Sequence, residues 1–278
     1  MHRLPEVYDY LRWRKRFPTV WCSGCGVGSI TGAIIRVVGS LGFDKNNVTL
    51  ISGIGCSSRI PIYVDFNTLH TTHGRALPFA TGVKLVNPKM NVIVVSGDGD
   101  ALAIGGNHFI HAARRNIGVT LILVNNSIYG MTGGQVAPTT PIDAIAHTAP
   151  YGNIDPPFDA VQLALSSGAT FVARSTVYHI VQTENYLKKA FQHKGFALVE
   201  IICQCPILFG RLNKMSDPVD MIMSQKENAV NLVKAKKMTE EELKGKIITG
   251  IFREDNSKME YTESYAHLIQ RVQKQNES

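Results

Sequence analysis

The chain has 278 residues, of which 44% are hydrophobic and 18% charged, and its formal net charge at pH 7 is +7. These values are ordinary for a globular protein and exclude an intrinsically disordered one. The first twenty residues carry charges throughout, and no stretch reaches the roughly 18 apolar residues of a membrane span. We therefore expect a cytoplasmic protein without a secretion signal or a membrane span.

Apolar periodicity predicts helices and strands that alternate along the chain. Helices are predicted over 30–41, 74–86, 103–115, 159–167 and 179–192, and strands over 48–52, 91–97, 119–125, 170–174 and 196–202. The strands are short and rich in Val and Ile, as parallel strands buried on both faces are. We expect an α/β fold with a doubly wound, mainly parallel sheet, whose ligands bind at the carboxyl ends of the strands.

The sequence changes character near residue 217. Ser224 and Thr239 are each followed by Glu three residues later, a pattern typical of capping boxes that open helices. We expect an α/β domain over 1–216 and a polar helical C-terminal arm over 217–278, suited to docking a partner. The Pro- and Thr-rich segment 136–158 is either a lid or a subunit contact.

Polar side chains follow two neighbouring predicted strands. Gly97-Asp98-Gly99-Asp100 ends one strand and Asn125-Asn126 ends the next. A carboxylate and an amide oxygen are ligands that Mg²⁺ prefers, and glycines let backbone N–H groups approach a diphosphate. Asp98 alone would more often be a helix N-cap, but the two motifs together predict a site for Mg²⁺ and a diphosphate.

The five cysteines are Cys22, Cys25, Cys56, Cys203 and Cys205. Four thiolates at one rim of the sheet suit a [4Fe-4S] cluster or zinc. Zinc sites usually combine two close pairs of ligands, whereas this spacing has one pair and two distant single positions. A redox-active dithiol would leave Cys56 and Cys205 unexplained, and any one cysteine alone is more often structural. Beside a diphosphate site, the set favours the cluster.

Six motifs resemble, in their order, those of the beta subunit of 2-oxoacid:ferredoxin oxidoreductases, over about residues 20–210. They are WCSGCG, GIGCSSR, HTTHGRALPFATGVKLVNP, GDGDALAIGGNHFIHAARRN, NNSIYGMTGGQVAPTTP and LVEIICQCP. The resemblance implies a fold of the thiamine-diphosphate-binding type and oxidative decarboxylation of a 2-oxo acid to an acyl-CoA and CO2. Electrons would leave through a [4Fe-4S] cluster to an iron-sulfur protein or flavodoxin. Chain length and the tail GIFREDNSKMEYTESY favour 2-oxoglutarate over pyruvate or a branched-chain 2-oxo acid.

The resemblance also implies roles for individual residues. Mg²⁺ would bind the side chains of Asp98 and Asn126 and the carbonyl of Ile128. The cluster ligands would be Cys22, Cys25, Cys56 and Cys205, with Cys203 as the alternative fourth ligand. The residues expected at the cofactor are Gly24, Cys25, Gly55, His73, Gly97, Asp98, Gly99, Asp100, Asn126, Tyr129, Gly130, Met131 and Thr132.

Two further side chains are expected to act on the substrate or the cofactor. Arg59 suits a substrate carboxylate because its guanidinium can bind both oxygens, although a surface ion pair is an equal alternative. His73 is expected to hydrogen-bond near the cofactor, against the alternative that it only packs.

The expected partners follow from what the chain lacks. We find no second sheet for the pyrimidine end of the cofactor, so an alpha subunit should supply that domain and an activating glutamate. Small gamma and ferredoxin-like delta subunits are optional companions, coenzyme A is the co-substrate, and an acidic ferredoxin or flavodoxin fits the net charge of +7.

Two other classes of protein remain as alternatives. A subunit of a non-oxidative thiamine enzyme would not need the four cysteines. A zinc-bearing, basic nucleic-acid-binding module lacks the expected stripe of Lys and Arg with interleaved aromatic residues, since basic runs occur only at 12–16 and 234–237. We therefore expect no nucleic-acid partner.

Overall fold

The computed structural model describes residues 6–12 and 17–276, so most of the basic run at 12–16 lies outside the described residues. Its strands are β1 (Val48–Ser52), β2 (Asn67–His70), β3 (Asn91–Gly97), β4 (Val119–Asn125), β5 (Phe171–Thr176), β6 (Ala197–Ile202), β7 (Ala229–Asn231) and β8 (Ile247–Glu254). Its α-helices are α1 (Val27–Ser40), α2 (Ala76–Val86), α3 (Gly106–Arg115), α4 (Ala160–Ser166), α5 (Ile180–Gln192), α6 (Pro218–Asn228), α7 (Leu232–Ala235), α8 (Glu240–Leu243) and α9 (Tyr261–Asn276).

The strands form one sheet in the order β2-β1-β3-β4-β6-β5-β8-β7. Strands β1 to β6 are parallel, β8 is antiparallel to β5, and β7 is parallel to β8. The predicted α/β fold with a mainly parallel sheet is confirmed. From β1 the chain moves outward to β2 and then returns to the other side of β1 at β3. The strand order therefore reverses between β1 and β3, where doubly wound sheets bind ligands.

Each face of the sheet has its own hydrophobic core. Leu50, Ile93 and Ile122 pack on one face with residues of α1 and α5. On the other face the neighbouring strand residues, such as Ile51 and Leu121, pack with residues of α2, α3 and α4. Alternate residues of each strand thus enter opposite cores, which explains the continuous apolar runs in the sequence. None of the described helices is long and apolar enough to cross a membrane.

The C-terminal segment is only partly the helical arm that the sequence predicts. Its helices are joined by β7 and β8, which the sequence analysis missed, and β8 pairs with β5. The capping box of Thr239 with Glu242 is confirmed at the start of α8. The prediction for Ser224 was wrong, because Ser224 lies inside α6, which begins with Asp217 as N-cap and Pro218 in its first turn. The division after residue 216 stays a prediction.

Candidate functional site

Two adjacent cavities lie at the carboxyl ends of the parallel strands. The first, here the GDG cavity, has a volume of about 440 Å³ and is lined by Ile54, Gly55, Cys56, Ser57, His73, Gly97, Asp98, Gly99, Asp100, Val124, Asn126, Ile128, Tyr129, Gly130, Met131, Thr132 and Gln135. The second, here the thiol cavity, has a volume of about 430 Å³ and is lined by Val20, Trp21, Cys22, Cys25, Cys56, Arg59, Ile62, Asn126, Gly130, Met131, Cys205, Pro206, Ile207 and Leu208. Cys56, Asn126, Gly130 and Met131 line both cavities.

Asp98 caps the helical segment that follows β3. Its Oδ1 accepts a hydrogen bond of 2.9 Å from the Gly99 amide, and its Oδ2 accepts one of 2.9 Å from the Ser127 amide and one from the Thr139 hydroxyl. Burial raises the pKa of Asp98 to about 6, against these three bonds, which lower it. None of the described residues that line the GDG cavity is a lysine or an arginine, and a buried carboxylate facing such a cavity is suited to binding a cation.

The segment after β4 brings amide and carbonyl oxygens to the same place. Ser127 has a left-handed φ of 59° and its amide also donates to Oδ1 of Asn125 at 3.2 Å. Oδ1 of Asn126 accepts from the amide of Ile128 at 3.3 Å. Asp98, Asn126 and Ile128 all line the GDG cavity, so this cavity gathers the set of oxygen donors that Mg²⁺ prefers.

Glycine backbone forms much of the wall of the GDG cavity. The Tyr129 hydroxyl donates to the carbonyl of Gly99 at 2.9 Å, and a Cβ at Gly99 would lie 2.3 Å from the Tyr129 ring. A Cβ at Gly130 would lie 3.4 Å from Sγ of Cys56 and 3.8 Å from Sγ of Cys205. Gly130, which lines both cavities, therefore lies close to two of the thiols.

Four of the five cysteines line the thiol cavity. Burial, and then the neighbouring Cys25, Cys205 and Cys22, raise the pKa of Cys56 to about 11, so these thiols are close enough to oppose each other's ionisation. The indole of Trp21 donates to the carbonyl of Cys56 at 2.8 Å and holds this loop in place.

The spacing of the thiols differs from that of a zinc site. Among residues 6–12 and 17–276, no three His, Cys, Asp or Glu side chains lie close enough together to share one metal ion. A zinc site with Zn–S bonds of about 2.3 Å needs that closeness. The four thiols thus line one cavity of about 430 Å³ but do not form the compact ligand set of a single ion.

Cys203 is the cysteine that does not line the thiol cavity. It is 3% exposed and forms a hydrogen bond with Cys25 that lowers the pKa of Cys25 to about 7. The sequence analysis assigned Cys205 as the fourth ligand with Cys203 as the alternative, and in the structure Cys205 lines the thiol cavity.

The remaining predicted site residues are distributed over both cavities. Arg59 lies at the thiol cavity, where its Nη2 is 3.9 Å from Sδ of Met131. Gly55 and Thr132 line the GDG cavity, and His73 lines it with Nδ1 2.7 Å from Oδ1 of Asp100. Gly24 lines neither cavity, since its backbone, with φ of 78°, packs against Pro218.

Sequence reasoning missed two residues that shape the site. Thr139 belongs to the segment 136–158 and donates to Asp98, and Trp21 supports the Cys56 loop. Thr139 lies in the motif APTTP, but no local pattern connects that motif with β3. Segment 136–158 therefore contributes to the site through the hydrogen bond from Thr139 to Asp98.

Comparisons with known proteins agree with this geometry. A sequence model described as "Thiamine pyrophosphate enzyme, C-terminal TPP binding domain" matches residues 53–201. The 2-oxoglutarate synthase subunit KorB of Methanothermobacter thermautotrophicus is 52% identical over 245 residues, which cover 87% of this chain and 86% of that protein. The chain belongs to the beta subunits of the 2-oxoacid:ferredoxin oxidoreductases. The family predicted from the six motifs is confirmed.

Other members of this family show the same likeness over nearly the whole chain. The KorB subunit of Methanocaldococcus jannaschii is 49% identical over 95% of this chain and 97% of that protein. A structure of 2-oxoglutarate:ferredoxin oxidoreductase from Magnetococcus marinus, solved with 2-oxoglutarate, coenzyme A and succinyl-CoA bound, has a TM-score of 0.85 and 33% identity. It covers 98% of this chain and 92% of the matched chain. The fold therefore extends through the C-terminal segment that the sequence analysis set apart.

Proposed function

We propose that this chain is the cofactor-binding beta subunit of an enzyme that oxidatively decarboxylates 2-oxoglutarate to succinyl-CoA and CO2. The observation that carries the proposal is the wall of Cys56, Asn126, Gly130 and Met131 shared by the two cavities. It joins a site for a diphosphate to a set of four thiols. The names of the KorB relatives and the ligands of the Magnetococcus structure support 2-oxoglutarate as substrate and coenzyme A as co-substrate. We place the enzyme in the cytoplasm, where thiols stay reduced.

The GDG cavity suits thiamine diphosphate with Mg²⁺. Asp98, Asn126 and the carbonyl of Ile128 would hold the metal, and Gly97 and Gly99 leave room for the diphosphate. When bound, thiamine diphosphate supplies the electron sink for decarboxylation of a 2-oxo acid. The residues of this chain bind, orient and enclose the cofactor. Tyr129 holds the Gly99 backbone in place through the hydrogen bond from its hydroxyl.

The thiol cavity suits a [4Fe-4S] cluster held by Cys22, Cys25, Cys56 and Cys205. When bound there, such a cluster would supply a one-electron relay beside the thiamine diphosphate site. Arg59 lies on this cavity next to Met131, which also lines the GDG cavity. We assign the Arg59 guanidinium to a carboxylate of the substrate.

A partner subunit completes the cofactor site in this proposal. None of the described residues that line the GDG cavity is a glutamate, so the glutamate that activates the cofactor comes from elsewhere. We assign it to an alpha subunit with the pyrimidine-binding domain. Gamma and delta subunits are optional, and ferredoxin or flavodoxin accepts the electrons, with the positive net charge of this chain favouring an acidic carrier.

The test is steady-state turnover of the anaerobically purified complex with 2-oxoglutarate, pyruvate and 2-oxoisovalerate, each with coenzyme A and ferredoxin. We expect the highest kcat/KM with 2-oxoglutarate. A higher kcat/KM with pyruvate or 2-oxoisovalerate would contradict the assignment of 2-oxoglutarate and identify that acid as the substrate. Iron and sulfide are measured on the same sample, and their absence would instead indicate a non-oxidative thiamine enzyme.

A further inference from the structure

The carboxylate of Asp100 is a hydrogen-bonding centre between three strand ends. Its Oδ1 accepts from the Gly74 amide at 2.6 Å, from the His73 ring at 2.7 Å and from the Ile54 amide at 3.2 Å. Its Oδ2 accepts from the hydroxyl of Ser96. Asp100 is 2% exposed, so these four bonds take up most of its capacity as an acceptor.

The donors come from parts of the chain that are far apart in sequence. Ile54 follows β1, His73 and Gly74 follow β2, and Ser96 lies in β3. A Cβ at Gly53 would lie 2.0 Å from Oδ2 of Asp100, so the β1 loop reaches the carboxylate only because residue 53 is glycine. This centre lies where the strand order reverses, the usual place of a ligand site in a doubly wound sheet.

We propose that Asp100 is not a metal ligand like Asp98 but a positioning residue, which orients His73 in the GDG cavity and fixes the loop that carries Cys56. This inference rests on the function proposed above and adds a role for the second carboxylate of the GDGD motif. Only Gly99 lies between Asp98 and Asp100 in the sequence, but the two carboxylates have different hydrogen-bond partners. Asp98 accepts three hydrogen bonds, from Gly99 and from Ser127 and Thr139 after β4. Asp100 instead accepts four, from groups in or just after β1, β2 and β3.

The bond to His73 decides which ring nitrogen meets the cavity. A carboxylate only accepts hydrogen bonds, so Nδ1 of His73 carries the hydrogen and donates. Nε2, which has no partner among the described residues, is then the atom available to a bound molecule. Histidines at cofactor and metal sites are commonly fixed in this way by a carboxylate on the other nitrogen.

The bond to Ile54 connects the same carboxylate with the thiols. Cys56 is two residues beyond Ile54 and lines both cavities. Displacing this loop moves one thiol of the thiol cavity, whereas displacing His73 changes only the GDG cavity. Loss of Asp100 should therefore disturb both cavities, and loss of His73 only one.

The test compares five variants in the assembled complex: Asp100→Ala, Asp100→Asn, His73→Phe, Ser96→Ala and Asp98→Asn. Two properties are measured besides activity. One is the Kd of thiamine diphosphate as a function of Mg²⁺ concentration, and the other is the electron paramagnetic resonance spectrum of the reduced cluster. Thermal unfolding of each complex verifies that the variant has folded.

We expect Asp100→Ala to weaken thiamine diphosphate binding by about 10- to 100-fold, as loss of an outer partner of a bound group does, and to change the spectrum. His73→Phe should weaken binding without changing the spectrum. Asp100→Asn should bind near the wild-type Kd, because its amide oxygen still accepts from the three Oδ1 donors and its NH2 group can donate to Ser96. Ser96→Ala is the matched control. It removes only the hydrogen bond that Asp100 accepts from within β3, and leaves its bonds to the loops that carry Ile54 and His73.

Two results would overturn the inference. If Asp100→Asn loses the Mg²⁺ dependence of binding as Asp98→Asn does, Asp100 is a metal ligand. If Asp100→Ala binds normally and has the wild-type spectrum, Asp100 does not position the site. Should Asp100→Ala fail to fold, the comparison of Asp100→Asn with Asp98→Asn decides. A wild-type complex without thiamine diphosphate or iron would refute the proposed function instead.

Discussion

Asn125 and Glu200 are joined across β4 and β6 by a hydrogen bond of 2.8 Å from Nδ2 of the amide to Oε1 of the carboxylate. Glu200 is 1% exposed, and its Oε2 accepts from Nε of Arg174 at 2.6 Å. Since the amide oxygen of Asn125 accepts from the Ser127 amide, a buried ion pair supports the turn that presents Asn126 and Ile128. In the motif Asn125-Asn126, the first amide therefore supports the turn, and the second lines the GDG cavity.

Removing the charge of Glu200 should destabilise the protein strongly. Glu200→Gln leaves the largely buried guanidinium of Arg174 with only the half-exposed Asp159, and breaking a buried ion pair costs about 3 kcal/mol or more in the free energy of unfolding. Denaturant unfolding measures this value. Glu184→Gln is the control, because the partner of Glu184, Arg36, is exposed and the loss should stay below about 1 kcal/mol. Equal losses in the two variants would contradict the role of the buried pair.

Replacing Asp98 should remove one cofactor and leave the other in place. Asp98→Asn keeps the size of the side chain but removes the charge that attracts Mg²⁺, so we expect loss of thiamine diphosphate and Mg²⁺ with iron retained. Iron content and bound thiamine diphosphate of the purified complex are compared with wild type. A variant that loses iron and keeps thiamine diphosphate would show that Asp98 serves the other cavity.

Acid should destabilise the protein through His193. Burial lowers the pKa of His193 from 6.5, whereas its hydrogen bond to Asn256 and the charges of Glu254 and Asp255 raise it, and its Nε2 lies 2.7 Å from the Thr170 hydroxyl. In the unfolded chain His193 therefore takes up a proton near pH 6.5, whereas in the folded chain its imidazole is still neutral at that pH. The free energy of unfolding then falls as the pH decreases below 6.5. His193→Gln should flatten this part of the profile of unfolding temperature against pH. An unchanged slope would assign the dependence to other groups.

The sequence predicts those parts of the structure that depend on local pattern and strand ends. The strands predicted at 48–52, 91–97 and 119–125 match β1, β3 and β4, because short continuous runs of Val and Ile are typical of parallel strands buried on both faces. In the register of β3 and β4, Gly97 lies beside Val124, so the spacing of GDG and Asn-Asn brings both motifs to one edge. Motif order then indicates the family.

The parts that the sequence did not predict depend on contacts between distant segments. Strand β2 is a mostly exposed edge strand without an apolar run, and β7 has only three residues. The capping pattern at Ser224 fits locally, but Asp217 begins the same helix seven residues earlier. The roles of Thr139 and Asp100 follow from bonds to other loops, which no spacing in the chain reveals.

The two cysteines after β6 should respond oppositely to substitution. Cys205 lines the thiol cavity with Cys22, Cys25 and Cys56, so Cys205→Ser should remove the cluster and the reduction of an acceptor that depends on a 2-oxo acid. Cys203 is buried outside the thiol cavity and is hydrogen-bonded to Cys25, and serine at this position keeps a donor, so Cys203→Ser should retain iron. Iron analysis and visible absorption of the anaerobically purified variants distinguish them. Loss of iron from Cys203→Ser alone would make Cys203 the fourth ligand. Because Cys205 lines the thiol cavity but not the GDG cavity, we also expect Cys205→Ser to keep thiamine diphosphate.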